Sequence, residues 1–139
     1  MKLLSFFGED MVTMAIDRWN AFVISQLQFN SDYFELMPDQ SMTNRSIISF
    51  NVKHPDGSLL SDEELRELYM RVCAIERDDL FDFKKIIIGQ PVKYDNLSFI
   101  RLALGSYNVR KLIASDFDFK FDKQLIQIII KELKHLYWN

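Results

Sequence analysis

The segment from Ser46 to Glu76 constrains the fold most, because a strand, a turn and a helix follow one another there. Apolar and polar residues alternate in Ser46–Lys53, which is typical of a strand with one buried face. His54-Pro-Asp-Gly57 is a turn sequence, since proline fixes φ and glycine accepts positive φ. Ser61-Asp-Glu-Glu64 is a capping box, in which the first and last side chains each bond the other's backbone amide. The sequence therefore predicts a helix from Ser61 to about Glu76.

Three other segments have helical patterns. No Pro or Gly interrupts the stretch from Glu9 to Phe29, so a long first helix is predicted there. Its residues near helical spacing are Met11, Met14, Ala15, Arg18, Phe22 and Leu27. A short helix is predicted for Tyr107 to Ala114, and Asp122 is the predicted N-cap of a last helix. The apolar face of this last helix comprises Leu125, Ile128, Ile129, Leu133 and Leu136.

Three other segments predict strands. Tyr33 to Met37 forms a short one that Pro38 ends, because proline cannot continue a strand ladder. Lys85 to Gln90 and Leu97 to Leu104 form two more, joined by a connection of hairpin length. The predicted order is α-β-β-α-β-β-α-α, so the fold class is α+β: a small, mostly antiparallel sheet of about four strands with helices packed on one face.

Composition limits the chain to one domain over residues 1–139 and excludes several classes of protein. The net charge is −3 and is spread along the chain, which gives no basic surface for nucleic acid or an anionic membrane. No apolar run is long enough to cross a bilayer. Cys73 is the single cysteine, so no disulfide within the chain is possible, and a reducing, cytoplasmic location is expected.

The chemistry-bearing residues do not form a complete catalytic site. His54 and His135 are far apart in the sequence, lack a ligand at metal-binding spacing, and are predicted to be solvated. Cys73 lies on the apolar stripe of the capped helix and is predicted to be a packed core thiol. The glycine-rich phosphate-binding motifs and the G-x-S-x-G motif of hydrolases do not occur. The sequence thus predicts no metal ligands, no catalytic residues and no cofactor-binding residues in this chain.

Arg101 is the one unusual residue, because it lies within the apolar segment Phe99-Ile-Arg-Leu-Ala-Leu104. Strand alternation places it on the same face as Leu97, Phe99 and Ala103. A guanidinium on such a face requires a carboxylate, a phosphate or an interface. Two interpretations remain open: a salt bridge or edge position within the domain, or an arginine presented to another domain or an anionic ligand.

The order of these segments resembles the small C-terminal domain of pyridoxal-phosphate-dependent amino-acid decarboxylases of the glutamate, aromatic-amino-acid and diaminobutyrate group (group II, fold type I). The resemblance covers about residues 11 to 136. It rests on the first helix, on "FELM" at 34–37 and "SIISFNV" at 46–52, on "LLSDEELRELYMRV" at 59–72, and on "IIIGQPVKYDNLSFIRLALGSYNVRKL" at 86–112. The chain departs from the family at Gly105-Ser-Tyr-Asn108, where Asn-Pro is common, and at Phe117 to Phe121, which adds length before the last helix.

The resemblance implies part of a lyase rather than a self-sufficient enzyme. In the family, the lysine that holds pyridoxal phosphate follows a histidine in a separate large domain, whereas this chain contains only the reversed order, Lys53-His54 and Lys134-His135. By resemblance, Arg101 matches an arginine that in some members binds the substrate carboxylate. The implied partner is a large cofactor-binding domain or a second copy of the chain, in an oligomer.

Two other functions remain open at this stage. The chain could be a stand-alone α+β interaction or regulatory module without catalysis, because sheets of this kind serve many functions. The small domain of an aminotransferase shares the fold type and is not distinguished by these motifs. For self-association, the first helix with Trp19, Phe22 and Phe29 is the expected surface, since it carries more apolar residues than one stripe needs.

Overall fold

The computed structural model describes residues 8–36, 47–75, 100–103, 113–114 and 119–138. Along the chain its elements are α1 (Glu9–Phe29), β1 (Phe34–Leu36), β2 (Ile47–Val52), α2 (Asp62–Cys73), β3 (Ile100–Ala103) and α3 (Lys120–Tyr137). These elements form an α+β fold with a small antiparallel sheet, as the sequence predicts. The predicted strand Lys85–Gln90 lies outside the described residues, and of the predicted helix Tyr107–Ala114 only residues 113–114 are described, as helix.

The described sheet has β2 at its centre, paired antiparallel with β1 on one side and with β3 on the other. Phe34 lies opposite Val52, and Ile48 lies opposite Leu102. These four side chains and Phe50 are all buried, and they lie on one face because alternate residues of a strand point the same way. This face of the sheet forms one wall of the hydrophobic core.

The helices supply the rest of the core. α1 packs against β1 and β2, and α3 packs against both α1 and α2. The predicted apolar face of α3 is confirmed at Leu125, Ile129 and Leu133, and α2 buries Leu65, Leu68 and Val72. Apolar residues of all three helices and of the sheet form one continuous buried cluster. Its burial is the main favourable contribution to folding.

The predicted apolar stripe of α1 is wrong in part. The residues that α1 buries are Val12, Ala15, Trp19, Val23 and Leu27. Met11 and Met14 are instead 42% and 44% exposed. The helix carries apolar residues on two faces, and periodicity alone could not show which face the indole of Trp19 occupies. Trp19 is fully buried, so it cannot belong to a surface for self-association, whereas Phe29 is 85% exposed.

The turn and the capped helix are confirmed. Gly57 has a φ of 88°, which a residue with a side chain rarely adopts, and its amide donates to the His54 carbonyl over 2.9 Å. The amide of Glu64 donates to Ser61 Oγ over 3.2 Å, and the amide of Ser61 donates to Glu64 Oε1 over 2.8 Å. α2 then ends at Cys73, three residues before the predicted end at Glu76.

The predicted N-cap of the last helix is wrong. Phe119 is the N-cap of α3 and provides no side-chain hydrogen bond, and Asp122 is the third residue of the helix. The Asp122 side chain is buried and accepts a hydrogen bond from Trp19, so it serves the core rather than the helix end. Phe119 stacks on Phe22 with ring centroids 4.6 Å apart, which fixes the start of α3 against α1.

None of the described helices is both long enough and apolar enough to cross a membrane.

Candidate functional site

The backbone register of β3 decides the position of Arg101. Arg101 lies opposite Ser49, and its neighbour Leu102 lies opposite Ile48. Leu102 and Ile48 are both buried in the core. Since successive residues of a strand face opposite sides of the sheet, Arg101 occupies a position on the face that points away from the core.

We call this second face the outer face of the sheet, defined by Glu35, Ser49, Asn51 and Arg101. Glu35 lies opposite Asn51, so the Glu35–Asn51 and Ser49–Arg101 pairs are successive along β2. Neighbouring positions of the outer face therefore carry four polar groups: a guanidinium, a hydroxyl, an amide and a carboxylate. Arginine, serine and asparagine are all hydrogen-bond donors to carboxylates, and arginine can bind one through two parallel bonds.

Asn51 is the unusual member of the outer face. It is half-buried, and its Oδ1 is sealed from solvent without a hydrogen-bond partner among the described residues. A buried amide oxygen without a hydrogen bond costs free energy, and such atoms are therefore rare in natural proteins. Sequence reasoning did not single out Asn51, although its place in an alternating strand, two residues from Ser49, was visible.

Two ring side chains and a carboxylate meet where the turn, the start of α2 and the end of α3 converge. His54 Nε2 lies 3.0 Å from Glu64 Oε1, and the His54 ring packs edge-on against Tyr137 with centroids 4.8 Å apart. The side chain of His54 is 22% exposed, so the expectation of a solvated histidine is wrong. Glu64 Oε1 also accepts the Ser61 amide, which means that this carboxylate is committed to the helix cap.

The titration of this cluster follows from its contacts. Partial burial alone raises the pKa of Glu64, but the hydrogen bonds from Ser61 and His54 outweigh it and hold that pKa below its usual value. Burial, followed by the nearby carboxylates of Glu64 and Glu67, raises the pKa of Tyr137 to about 12. Glu64 is therefore ionised and Tyr137 neutral at pH 7. The arrangement ties three elements together, which is a structural role.

A buried carboxyl group lies between α1 and α3. Trp19 Nε1 donates a hydrogen bond of 2.8 Å to Asp122 Oδ1, and the two residues are 103 positions apart in the sequence. Burial raises the pKa of Asp122 to about 6, although the bond from Trp19 acts to lower it. Sequence reasoning missed this pair, because nothing local to either residue indicates the other.

The structure also shows the surroundings of the possible metal ligands and of the two lysines that precede a histidine. Within the described ranges, no group of three His, Cys, Asp or Glu side chains is placed to hold a metal ion. Lys53 Nζ donates to the Ser31 carbonyl over 3.0 Å, and Lys134 Nζ lies 5.5 Å from the centre of the Tyr33 ring. Both lysines that precede a histidine in the sequence therefore contact other residues of the domain.

Comparison of the chain with protein-family models, with curated proteins and with solved structures finds no match.

Proposed function

We propose that this chain acts as the small C-terminal-type domain of a pyridoxal-phosphate-dependent amino-acid decarboxylase. In this role it contributes an arginine and an interface, and a separate large domain supplies the cofactor and the lysine that holds it. Arg101 is the proposed substrate-binding residue, and it binds the carboxylate of the amino acid. The chain alone is not active.

The position of Arg101 is the observation that supports this proposal. It lies at a register position on the outer face of the sheet, opposite Ser49 and away from the hydrophobic core. An arginine can bind a carboxylate through two parallel hydrogen bonds, and Asn51 on the same face supplies a further polar group for such a ligand. The order of the described elements, with a long helix before an antiparallel sheet, is also what the resemblance implies.

A second function is favoured by a different observation. The described residues build a core of their own, in which Trp19, Phe50 and Leu65 are fully buried. A domain with its own core can fold alone and serve as an interaction or regulatory module. In that case Arg101 belongs to a protein-binding surface, and no decarboxylase activity depends on the chain.

Reconstitution distinguishes the two functions. The chain would be mixed with a large cofactor-binding domain encoded beside it in its source genome, and release of carbon dioxide would be measured over a panel of amino acids. The decarboxylase proposal predicts activity only when both parts are present. Arg101→Leu should reduce kcat/KM by about 100-fold or more, Arg101→Lys should retain part of the activity, and Arg66→Leu, at an exposed position of α2, should change little. The absence of any binding or activity would favour the interaction module.

A further inference from the structure

The turn that follows β2 contains the only Asp-Gly step of the sequence, Asp56-Gly57. In such a step the aspartate carboxyl group can react with the next backbone amide, because glycine has no side chain to shield its nitrogen. Both residues are exposed. Apart from the two chain neighbours, no atom of the described residues lies within 4 Å of the place that a Cβ of Gly57 would occupy. Solvent therefore reaches both reacting groups.

The reaction rearranges the backbone and needs no reagent except water. The amide nitrogen of Gly57 bonds to the side-chain carboxyl carbon of Asp56, and the carboxyl OH leaves with the amide proton as water. The product is a five-membered succinimide ring. Water then adds to either ring carbonyl and opens the ring, which restores aspartate or gives isoaspartate, in which the main chain runs through the side-chain carbon. Nothing is oxidised or reduced.

Three hydrogen bonds restrain the two reacting groups. Asp56 Oδ1 accepts from the amide of Ser58 over 2.9 Å and from Ser58 Oγ over 2.6 Å. The Gly57 amide, which must lose its proton, donates to the His54 carbonyl over 2.9 Å. The hydrogen bonds from Ser58 also hold the pKa of Asp56 below its ordinary value. An ionised carboxylate reacts with an amide less easily than a neutral carboxyl group does, so these contacts act against the reaction.

We propose that Asp56-Gly57 is a site of spontaneous isoaspartate formation, and that the Ser58 hydroxyl slows this reaction in the folded protein. Asp56 and Gly57 are the residues that react. Ser58 takes no part in bond making or breaking; it holds the carboxylate of Asp56 by the shorter of the two hydrogen bonds that Oδ1 accepts. Because that bond comes from a side chain, a substitution can remove it and leave the backbone bond in place.

Isoaspartate in this turn would also disturb contacts outside it. The rearrangement adds one carbon to the main chain inside the loop that the His54 amide closes by donating to the Ser58 carbonyl over 2.7 Å. The ring of His54 packs against Tyr137, and its Nε2 lies 3.0 Å from Glu64 Oε1. The modified turn should therefore loosen the cluster that joins it to α2 and α3, and the isomerised protein should be less stable than the fresh protein.

Storage of the folded chain in heavy-oxygen water measures the reaction. Each opening of the succinimide places one heavy oxygen atom in the peptide that contains Asp56, which mass spectrometry detects, and an isoaspartate-specific methyltransferase labels the isomerised product. Ser58→Ala loses the hydroxyl bond and should incorporate heavy oxygen about fivefold faster than the wild type. Ser58→Thr keeps a hydroxyl at the same position and should stay close to the wild-type rate.

Two further variants separate the chemistry from a general loss of stability. Asp56→Glu would have to close a six-membered ring, so incorporation at this position should fall to the background level. Ser61→Ala removes the nearby helix cap but leaves Ser58 intact, and it should keep the wild-type rate. Circular dichroism of each variant verifies that the fold is intact.

Three results would overturn the proposal. Equal rates in the wild type and in folded Ser58→Ala would show that the hydroxyl does not slow the reaction. A rate in Ser61→Ala as high as that in Ser58→Ala would attribute the effect to general loosening of the fold. The third result is a wild-type chain unfolded in guanidinium that incorporates heavy oxygen at Asp56 no faster than the folded chain, which would show that the turn gives no protection.

Discussion

Asp122 provides the sharpest test of how the core is assembled, because it is a carboxyl group buried between α1 and α3 with a hydrogen bond from Trp19. Its pKa rises from 3.8 to about 6 on folding, so the folded state favours the protonated form. The stabilising contribution of the protonated form is therefore present at low pH and is lost as pH rises through about 6. Between about pH 4 and pH 7.5, the ionisation of Asp122 should lower the free energy of unfolding by about 2.5 kcal/mol.

The perturbation is Asp122→Asn, which cannot ionise and keeps an oxygen that accepts from Trp19. At about pH 7.5 the variant should be more stable than the wild type by about 1–2 kcal/mol, because it has no buried charge. The gain is smaller than the full effect of ionisation, because burying the two amide hydrogens of asparagine away from water costs free energy. At about pH 4 the two proteins should agree within about 1 kcal/mol. Comparing variant with wild type at each pH cancels the titration of distant carboxylates.

The assay is denaturant unfolding, followed by tryptophan fluorescence, at both pH values. Trp19→Phe is the partner variant: it removes the donor and should destabilise the protein more at pH 7.5 than at pH 4. Asp56→Asn is the surface control, because the hydrogen bonds from Ser58 lower the pKa of Asp56 and its pH dependence has the opposite sign. An equal effect of Asp122→Asn at both pH values would refute the buried, ionisable state of Asp122.

Three further predictions concern the helix cap, the cluster at the turn and the cofactor. Ser61→Ala removes the acceptor of the Glu64 amide and should lower the free energy of unfolding by about 1 kcal/mol, measured by thermal or denaturant melts. Glu64→Ala should cost more than Ser61→Ala, because Glu64 also holds His54, and equal losses would contradict that link. The isolated chain should bind no pyridoxal phosphate covalently; an absorption band that borohydride removes, with a reduced lysine mapped by mass spectrometry, would disprove this.

Local signals predicted the described elements well. The capping box fixed the start of α2 because both of its hydrogen bonds lie within four residues of sequence. The turn at Gly57 was predictable for the same reason, since its positive φ suits glycine. The bounds of α1, Glu9 to Phe29, were predicted correctly because no Pro or Gly interrupts that stretch.

Features that depend on distant contacts were not predictable. The N-cap preference of aspartate is a local rule, but the core between α1 and α3 turned Asp122 toward Trp19 instead. Similarly, α1 has two apolar faces, and only packing against the sheet shows that Val12 and Trp19 lie inside while Met14 lies outside. Tertiary packing overrode the local preference in both cases.

The candidate site was predictable in part. Strand alternation set Arg101 apart from its apolar neighbours, and the register places it opposite Ser49 on the face away from the core. The contribution of Asn51 could not be foreseen, because burial of its Oδ1 depends on the assembled sheet. The burial of His54 was also not predicted, because the ring that it packs against, Tyr137, is far from it in the sequence.

The free energy of unfolding of Arg101→Leu tests the central claim most directly, namely that Arg101 serves a group outside this domain. If it does, the substitution breaks no ion pair within the domain, and stability should stay unchanged within about 1 kcal/mol. If Arg101 instead pairs with a buried carboxylate of this domain, the substitution strands that charge and should cost about 3–5 kcal/mol. Denaturant melts resolve a difference of this size. Unchanged stability is the predicted result, and a loss of several kcal/mol would contradict the proposed role of Arg101.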